Sequence, residues 1–395
     1  MDQCDNPPDT RRPTRESGLA RLGSMADTIR AYALQRNYAD APTTSRLSPY
    51  LRRRLLLEEE VLAFAQGAGS FEQVEKFVQE VVWRTYWKGW LEARPGVWWA
   101  YLDRLRSLDD ALPAAVQELV AKATAGLTDL PYFNAWVDEL VTTGFLHNHI
   151  RMWFASVWVF TLKLPWELGA RFFLDHLLDG DPASNTLSWR WVAGLQTPGK
   201  HYLARAENIT KYTNGRFVPR PGELDESARP IPDDGLSRAP AAQIPLGPEA
   251  TTVRPRAILL HDEDLGPLPD GWGGVPVLRY VTREWLRHTP SPLVKSFNSA
   301  ACADADTRAG KVTGGFGAGE VAAWCRTNGA TEVWAMRPFV GFTSAALAAV
   351  GRELSTAGVT LRYAERGHDL TFLRHATKGF FPFWATVGPA LRRRW

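Results

Sequence analysis

Four short stretches of this chain place polar, charged and indole side chains at spacings that could do chemistry. The first is Thr44-Ser45-Arg46-Leu47-Ser48-Pro49-Tyr50-Leu51. Ser48 before Pro49 reads as a helix N-cap followed by the first helical position. Three hydroxyls and an arginine there make a phosphate cradle: free backbone amides, the positive end of the helix dipole and a guanidinium all favour an anion. A plain helix cap is the simpler reading of the same residues. The second stretch is Glu80-Val81-Val82-Trp83-Arg84-Thr85-Tyr86-Trp87. Helical spacing puts Glu80, Trp83 and Arg84 on adjoining parts of one face. A carboxyl beside an indole in a cavity is desolvated and holds its proton more tightly. A surface Glu–Arg pair beside a core tryptophan would look the same. The third is Gly144-Phe145-Leu146-His147-Asn148-His149-Ile150-Arg151-Met152. His147 and His149 diverge on a helix, which disfavours a shared metal. The fourth is Asp179-Gly180-Asp181-Pro182-Ala183-Ser184-Asn185, followed by Trp189-Arg190-Trp191. Its Asp-Gly-Asp start is like a calcium loop, yet no glutamate stands at the loop's closing position.

Helices must position most of these groups. Apolar residues recur at three- and four-residue spacing over 73–90, 132–146 and 150–162, so the chain up to about 215 reads as helical. Positions 216–249 hold seven prolines among Gly, Asp and Ser, the composition of an extended linker. Beyond about 253, short apolar runs at 257–260, 275–281, 332–336 and 359–363 alternate with amphipathic stretches at 317–328 and 344–357. That alternation points to a parallel βαβ sheet. The expected architecture is a mainly α domain over 1–215, a Pro-rich linker over 216–252 and a smaller α/β, Rossmann-like parallel-sheet domain over 253–395.

Composition narrows the classes. A chain of 395 residues exceeds one compact core, so two domains are expected. No run of about 20 uncharged apolar residues occurs, so no membrane span is expected. The polar start, Met1 to Ser24, does not read as a secretory signal. Cys4, Cys302 and Cys325 are too scattered for a disulfide framework, a zinc site or an iron–sulfur cluster. A reducing cytoplasm fits that usage. The net charge of +3 neither demands nor excludes nucleic acid. Tryptophan is abundant at 17 residues. Most fill cores, but indoles also stack on flavins and bases, and a row of them can pass electrons. Gly315-Phe316-Gly317-Ala318-Gly319-Glu320 lacks full dinucleotide-loop spacing, and no strand is expected directly before it. His261-Asp262-Glu263-Asp264 reads as a solvated strand end rather than a metal site.

Taken in order, the four stretches resemble the FAD-binding domain of the DNA photolyase/cryptochrome superfamily, over roughly Asn37 to Phe217. The resemblance implies a folded FAD. Tyr38 and Thr44, Ser45, Arg46, Leu47 and Ser48 would hold its phosphates and ribityl chain, and Phe77 would line it. Asn148 would touch adenine or lesion at the pocket floor. Arg151 and Asp179 would pair beside the isoalloxazine, and Asp181 would be a partner of the flavin ring. Asn185 stands opposite flavin N5, where an amide favours the reduced cofactor; plant-type cryptochromes carry aspartate there. Glu80 matches the glutamate that hydrogen-bonds the pyrimidine-dimer carbonyl. Trp83 and Trp191 match the indoles flanking a flipped-out dimer. Asn148 and Met152 match cyclobutane-dimer enzymes, whereas (6-4) photolyases carry histidines at both places. Trp189 and Trp166, 23 positions apart, match the inner members of the photoreduction ladder. Trp98, Trp99, Trp153 and Trp158 are candidates for the third.

The implied function is light-driven electron transfer from reduced FAD that repairs cyclobutane pyrimidine dimers, the work of a deoxyribodipyrimidine photolyase-like lyase. UV-damaged DNA, single- or double-stranded, would be the partner. A cryptochrome-like blue-light photoreceptor without repair is the alternative. A structural or dark-redox flavin fits the lesion-contact residues least. FAD is the implied cofactor, and the identity of any second antenna chromophore is open. There are departures from the family. His149 replaces an arginine, the segment from Tyr38 to Thr44 is short, and 194–202 replaces the late family pattern, all of which weakens the expectation of duplex binding. The family's antenna domain normally precedes the FAD domain, and none fits before residue 37. Glu320 to Ala335, Leu347 to Tyr363 and Phe380-Phe381-Pro382-Phe383-Trp384 resemble that domain instead, so a permuted order is expected.

Overall fold

The computed structural model describes residues 12–41, 43–282, 285–310, 312–315 and 318–395; Cys4, Phe316 and Gly317 lie outside them. Among the described residues twelve α-helices come first: α1 (Arg15–Gly23), α2 (Tyr32–Gln35), α3 (Ser48–Arg52), α4 (Glu58–Ala68), α5 (Phe71–Glu92), α6 (Gly96–Ala111), α7 (Ala114–Thr124), α8 (Pro131–Thr143), α9 (Asn148–Ser156), α10 (Trp166–His176), α11 (Pro182–Ala193) and α12 (Ala206–Tyr212). Among the described residues no helix is long and apolar enough to cross a membrane.

Helix α5 is the central rod. Ser70 precedes it, and the Gln73 side chain reaches back to the Ser70 amide at 3.0 Å, satisfying one orphan donor of the first turn. Phe71, Val74, Phe77, Val78, Val81, Val82 and Tyr86 follow at helical spacing and are all buried. Helix α8 stops at Gly144, whose φ of 68° belongs to the left-handed region; a Cβ there would also lie 2.5 Å from Leu178. Helix α9 continues into a wider π-type turn, Val157–Thr161, before α10 begins. Helix α11 starts with the Asp181 carboxylate accepting from the Ser184 amide at 2.9 Å, with Pro182 at the first position.

Between α12 and the first strand the chain forms only 3₁₀ turns at Leu236–Arg238 and Ala250–Thr252. It is tied to α11 by an Arg190–Asp234 ion pair at 2.5 Å. A five-stranded sheet follows: β1 (Ile258–His261), β2 (Val277–Tyr280), β3 (Val312–Gly315), β4 (Glu332–Met336) and β5 (Thr360–Ala364), in the order β3-β2-β1-β4-β5 with every pairing parallel. Its crossover and terminal helices are α13 (Pro292–Ala309), α14 (Ala318–Thr327), α15 (Phe342–Thr356), α16 (Gly367–Phe372) and α17 (Phe380–Arg392). Leu259, Leu278, Val321, Val333, Leu347 and Leu354 form one core on the sheet. Phe372, Phe380, Phe383 and Leu391 join the larger core of the helical half instead.

Two sequence expectations are corrected. A strand does precede the glycine run: β3 ends at Gly315. It is the sheet's edge, and the two glycines that end Val-Thr-Gly-Gly weaken its strand propensity, so pairing with neighbouring β2 supports it. His261-Asp262-Glu263-Asp264 is no solvated strand end, because all four residues are buried. Arg52 grips Glu263 with two hydrogen bonds of 2.6 Å. Arg53 pairs with Asp262 at 3.1 Å, and Arg54 with Asp264 at 3.2 Å and Asp369 at 2.7 Å. Arg366 clasps Asp264 from the other side. Three acids meet three consecutive arginines more than 200 positions away, and a charge that is buried must be paired.

Candidate functional site

The helical half encloses a cavity of about 560 Å³. That lies within the roughly 300–1,000 Å³ common for small-molecule sites. Its walls are the loop entering α3, the middle of α5, the start of α9 and the start of α11. Of the residues expected at the site, Thr44, Ser45, Arg46, Leu47, Ser48, Phe77, Glu80, Trp83, Asn148, Arg151, Met152, Asp179, Asp181, Asn185, Trp189 and Trp191 all line this one cavity. Tyr38 does not; its ring sits edge-on to Tyr212 at 5.2 Å. Trp166 also lies outside the lining, with its ring 5.6 Å from that of Tyr101.

The hydroxyl loop is held from behind. Arg21 donates to the carbonyls of Ser45 and Thr44 at 2.8 and 3.0 Å. Arg46 adopts φ 51°, a left-handed conformation that is unfavourable for its side chain. Ser48 is the first residue of α3 rather than its cap, a shift of one position from expectation. The guanidiniums of Arg46 and Arg151 lie 5.0 and 5.5 Å from the Phe145 ring. Arg151 pairs with Asp179 at 3.0 Å and donates to the Leu146 carbonyl.

At the start of α11, Asp181 collects cations. Lys88 and Arg84 approach at 3.3 and 3.2 Å and Arg52 at 3.7 Å. Burial alone would raise the Asp181 pKa, but these three cations hold its carboxyl well below the usual range. Asn185 donates to the Ala170 carbonyl at 2.8 Å, which fixes the amide. Glu80 forms an ion pair with Arg36, yet burial outweighs that partner and leaves its pKa raised. Trp83 is stacked on Phe380, with ring centres 3.6 Å apart, and Trp191 on Tyr202 at 5.7 Å. Each indole is thus braced by a stacked ring, and Trp83 also by Tyr86 and Trp87 at 5.5 and 5.4 Å. Burial, with Arg36 beside His149, pushes both His147 and His149 down to about 4. Trp189 meets Trp158 at 6.3 Å and Phe173 at 5.1 Å. Gly169 makes room for it: a Cβ there would stand 2.3 Å from the Trp189 ring.

Sequence reasoning missed Arg36, Lys88 and Phe380. Lys88 had a signal, because 80, 84 and 88 place charge at four-residue steps along an apolar helix. Arg36 follows a four-residue helix, and Phe380 arrives from the far end of the chain, so neither had one.

The cavity asks for a polar ligand. Thr44 Oγ1, Arg84 Nε, His149 Nδ1, Asp179 Oδ1 and Trp189 Nε1 are buried without a hydrogen-bond partner, and all belong to lining residues. Buried polar groups are normally satisfied. A long cofactor with an anionic diphosphate and heteroaromatic rings suits this set, because hydroxyls, arginines and indoles line the same cavity.

Residues 77–217 match the FAD-binding domain of DNA photolyase. A Streptomyces griseus protein named deoxyribodipyrimidine photo-lyase is 36% identical over 214 residues, covering 50% of this chain and 44% of that one. The chain therefore spans under half the length of this curated relative. A solved bacterial class III photolyase from Agrobacterium tumefaciens aligns over 51% of this chain and 43% of its own, at 24% identity and a TM-score of 0.43. A Synechocystis cryptochrome aligns over 50% and 43%, at 23% identity and a TM-score of 0.44. By the matched residues and by the site they line, the stretch 77–217 is an FAD-binding domain of the DNA photolyase/cryptochrome superfamily.

Proposed function

We propose that this chain is a light-driven flavoenzyme that splits cyclobutane pyrimidine dimers in DNA. The observation that carries the reading is that Glu80, Trp83, Asn148, Met152, Asn185 and Trp191, drawn from three helices, line a single cavity. Bound FAD in its reduced form would supply an electron on absorbing blue light. The chain's residues do the rest. Thr44 to Ser48, Arg46 above all, bind the diphosphate. Asn185 and Asp181 meet the isoalloxazine. Trp83 and Trp191 stack on the flipped-out dimer and keep water from it. Glu80, its pKa raised by burial, turns from Arg36 to hold a proton at the dimer carbonyl. Asn148 and Met152 close the floor.

The test is an oligonucleotide bearing one thymine dimer, single- or double-stranded, under blue light with reduced flavin verified spectroscopically. Dimer loss is expected. Glu80→Ala should slow it roughly 10- to 100-fold, as loss of a hydrogen bond to a charged group, about 1.5–3 kcal/mol, would. No loss on either substrate overturns the reading.

A blue-light photoreceptor without repair is the second reading. It is favoured by the Arg36–Glu80 pair and by Phe380 covering one face of Trp83, since both engage groups a dimer would need. It predicts flavin photoreduction with a changed assembly in light and no dimer loss. We read the α/β half as an antenna-like unit placed after the helical half. The void beside the carboxyl ends of β1 and β4, where such sheets bind ligands, is about 10 Å³, space for one water at most.

A further inference from the structure

We propose that Tyr101 is a redox-active tyrosine, oxidised through Trp166 with its phenolic proton passing to His288. The proposal rests on the flavin reading for its natural oxidant, but its geometry stands apart from the cavity. Tyr101 on α6 is 2% exposed. Its ring lies 5.6 Å from Trp166, at the start of α10, with 30° between the planes. Its hydroxyl is 3.3 Å from His288 Nε2. His288 Nδ1 in turn faces the Asp175 carboxylate, at the other end of α10, at 3.2 Å.

The parts of this line are held firmly. The Thr289 amide donates to Asp175 Oδ1 at 3.0 Å, and the Ser291 amide to its carbonyl at 2.7 Å. His288 is pinned between Trp98 and Phe342, with ring centres 6.3 and 5.1 Å away. The two residues before it, Leu286 and Arg287, take φ of 37° and 70°. Two consecutive non-glycine residues in that region store strain, which persists where surrounding structure demands a fixed side chain. His288 comes from the segment between β2 and α13, so the α/β half contributes a residue to the helical half.

The chemistry follows from burial. A phenol that loses an electron becomes a far stronger acid, and a buried one needs a base already in hydrogen-bond contact. Asp175 accepts from Nδ1–H, which leaves the Nε2 lone pair for the phenol. When an electron has left Trp166, the indole radical cation takes one electron from Tyr101. The phenolic O–H bond breaks and an Nε2–H bond forms. The products are neutral Trp166, a neutral tyrosyl radical and an imidazolium held by Asp175. The hole is then trapped, because its return requires the proton to come back as well. Burial and Asp175 push the Tyr101 hydroxyl well above its usual pKa, so the proton stays put until oxidation.

Two flash experiments on the whole chain test this. In one, the FAD-loaded protein receives blue light; in the other, the cofactor-free protein is oxidised by a soluble ruthenium polypyridyl photo-oxidant. Both are read by electron paramagnetic resonance. A neutral tyrosyl spectrum is expected that narrows with ring-deuterated tyrosine, a check needing no mutation. Tyr101→Phe should abolish it and leave an indole radical, and His288→Gln should slow its formation and remove its dependence on D2O. A tyrosyl signal surviving Tyr101→Phe overturns the proposal, as does indole oxidation in either arm without any tyrosyl radical, or an unchanged rate in His288→Gln. A Tyr101 radical with the ruthenium oxidant, and neither an indole nor a tyrosyl radical with flavin, sustains the relay and counts against the flavin reading.

Discussion

Arg52 stands between two groups of buried charge. On one side lies the joint between the halves, where Arg52, Arg53, Arg54 and Arg366 meet Asp262, Glu263, Asp264 and Asp369 in short, mostly two-pronged pairs. On the other lies the cavity, where Arg52 reaches Asp181 only at 3.7 Å and polar atoms of Thr44, Arg84, His149 and Asp179 have no partner. The residue types are alike, and the carboxylates of the cavity are paired too, Asp179 with Arg151 and Asp181 with Lys88 and Arg84, but more polar atoms there stay unmet. At the joint every carboxylate has a cation, so the charges fix how the halves dock. At the cavity, polar atoms of Thr44, Arg84, His149 and Asp179 remain for water or a ligand to meet.

The contrast can be broken most forcefully at Arg54. Arg54→Ala strands Asp369 and Glu58 and leaves Asp264 to Arg366 alone, and removing one partner of a buried pair costs about 3–5 kcal/mol. Urea denaturation should show that loss; a cost below 1 kcal/mol would mean that the joint is not the clamp described. Gly169→Ala should come next, at about 1–3 kcal/mol, because its Cβ overpacks Trp189. Flavin fluorescence titration should then separate the cavity side. Thr44→Val should weaken FAD binding about tenfold, near 1.4 kcal/mol, while leaving the cofactor-free protein as stable or more so, since a buried unmet hydroxyl is removed.

Acid sharpens the comparison, because the two sides titrate in different windows. His147 and His149 fall from 6.5 to about 4 in the fold. Between those values the unfolded chain binds protons the folded chain refuses, so stability declines as pH falls from 6.5 towards 4. Glu263 falls from 4.5 to about 2, so its contribution is full above 4.5 and is lost as pH drops towards 2. His149→Gln should flatten the upper slope and Glu263→Gln the lower; denaturation midpoints across pH would show one slope moving without the other. The smallest effect belongs at the exposed rim of the sheet. Glu332→Gln loses its pair with Arg362 yet should change stability by less than about 0.5 kcal/mol.

Much of the cavity was legible in the chain itself. Residues 44–48, 80–84, 144–152 and 179–191 carry it as contiguous words, since loops and single helix faces are short-range objects. Helix α5 could be read from its apolar period, and β4 matches its expected bounds, because burial of one face or of a whole strand leaves a local pattern. Local pattern could not say which charges would meet. Asp262 to Asp264 read as solvent-facing until the fold brought Arg52 to Arg54 against them. Arg36 and Phe380 were ordinary residues until docking set one on Glu80 and the other on Trp83. Tyr101, Asp175 and His288 lie on separate elements, 74 and 113 positions apart along the chain. The amino-acid order alone determined which helices form and which words they carry, through periodicity and capping. Tertiary packing decided which buried charges were neutralised and which were left waiting, because a pair's worth depends on distance and desolvation, and neither exists before the halves close.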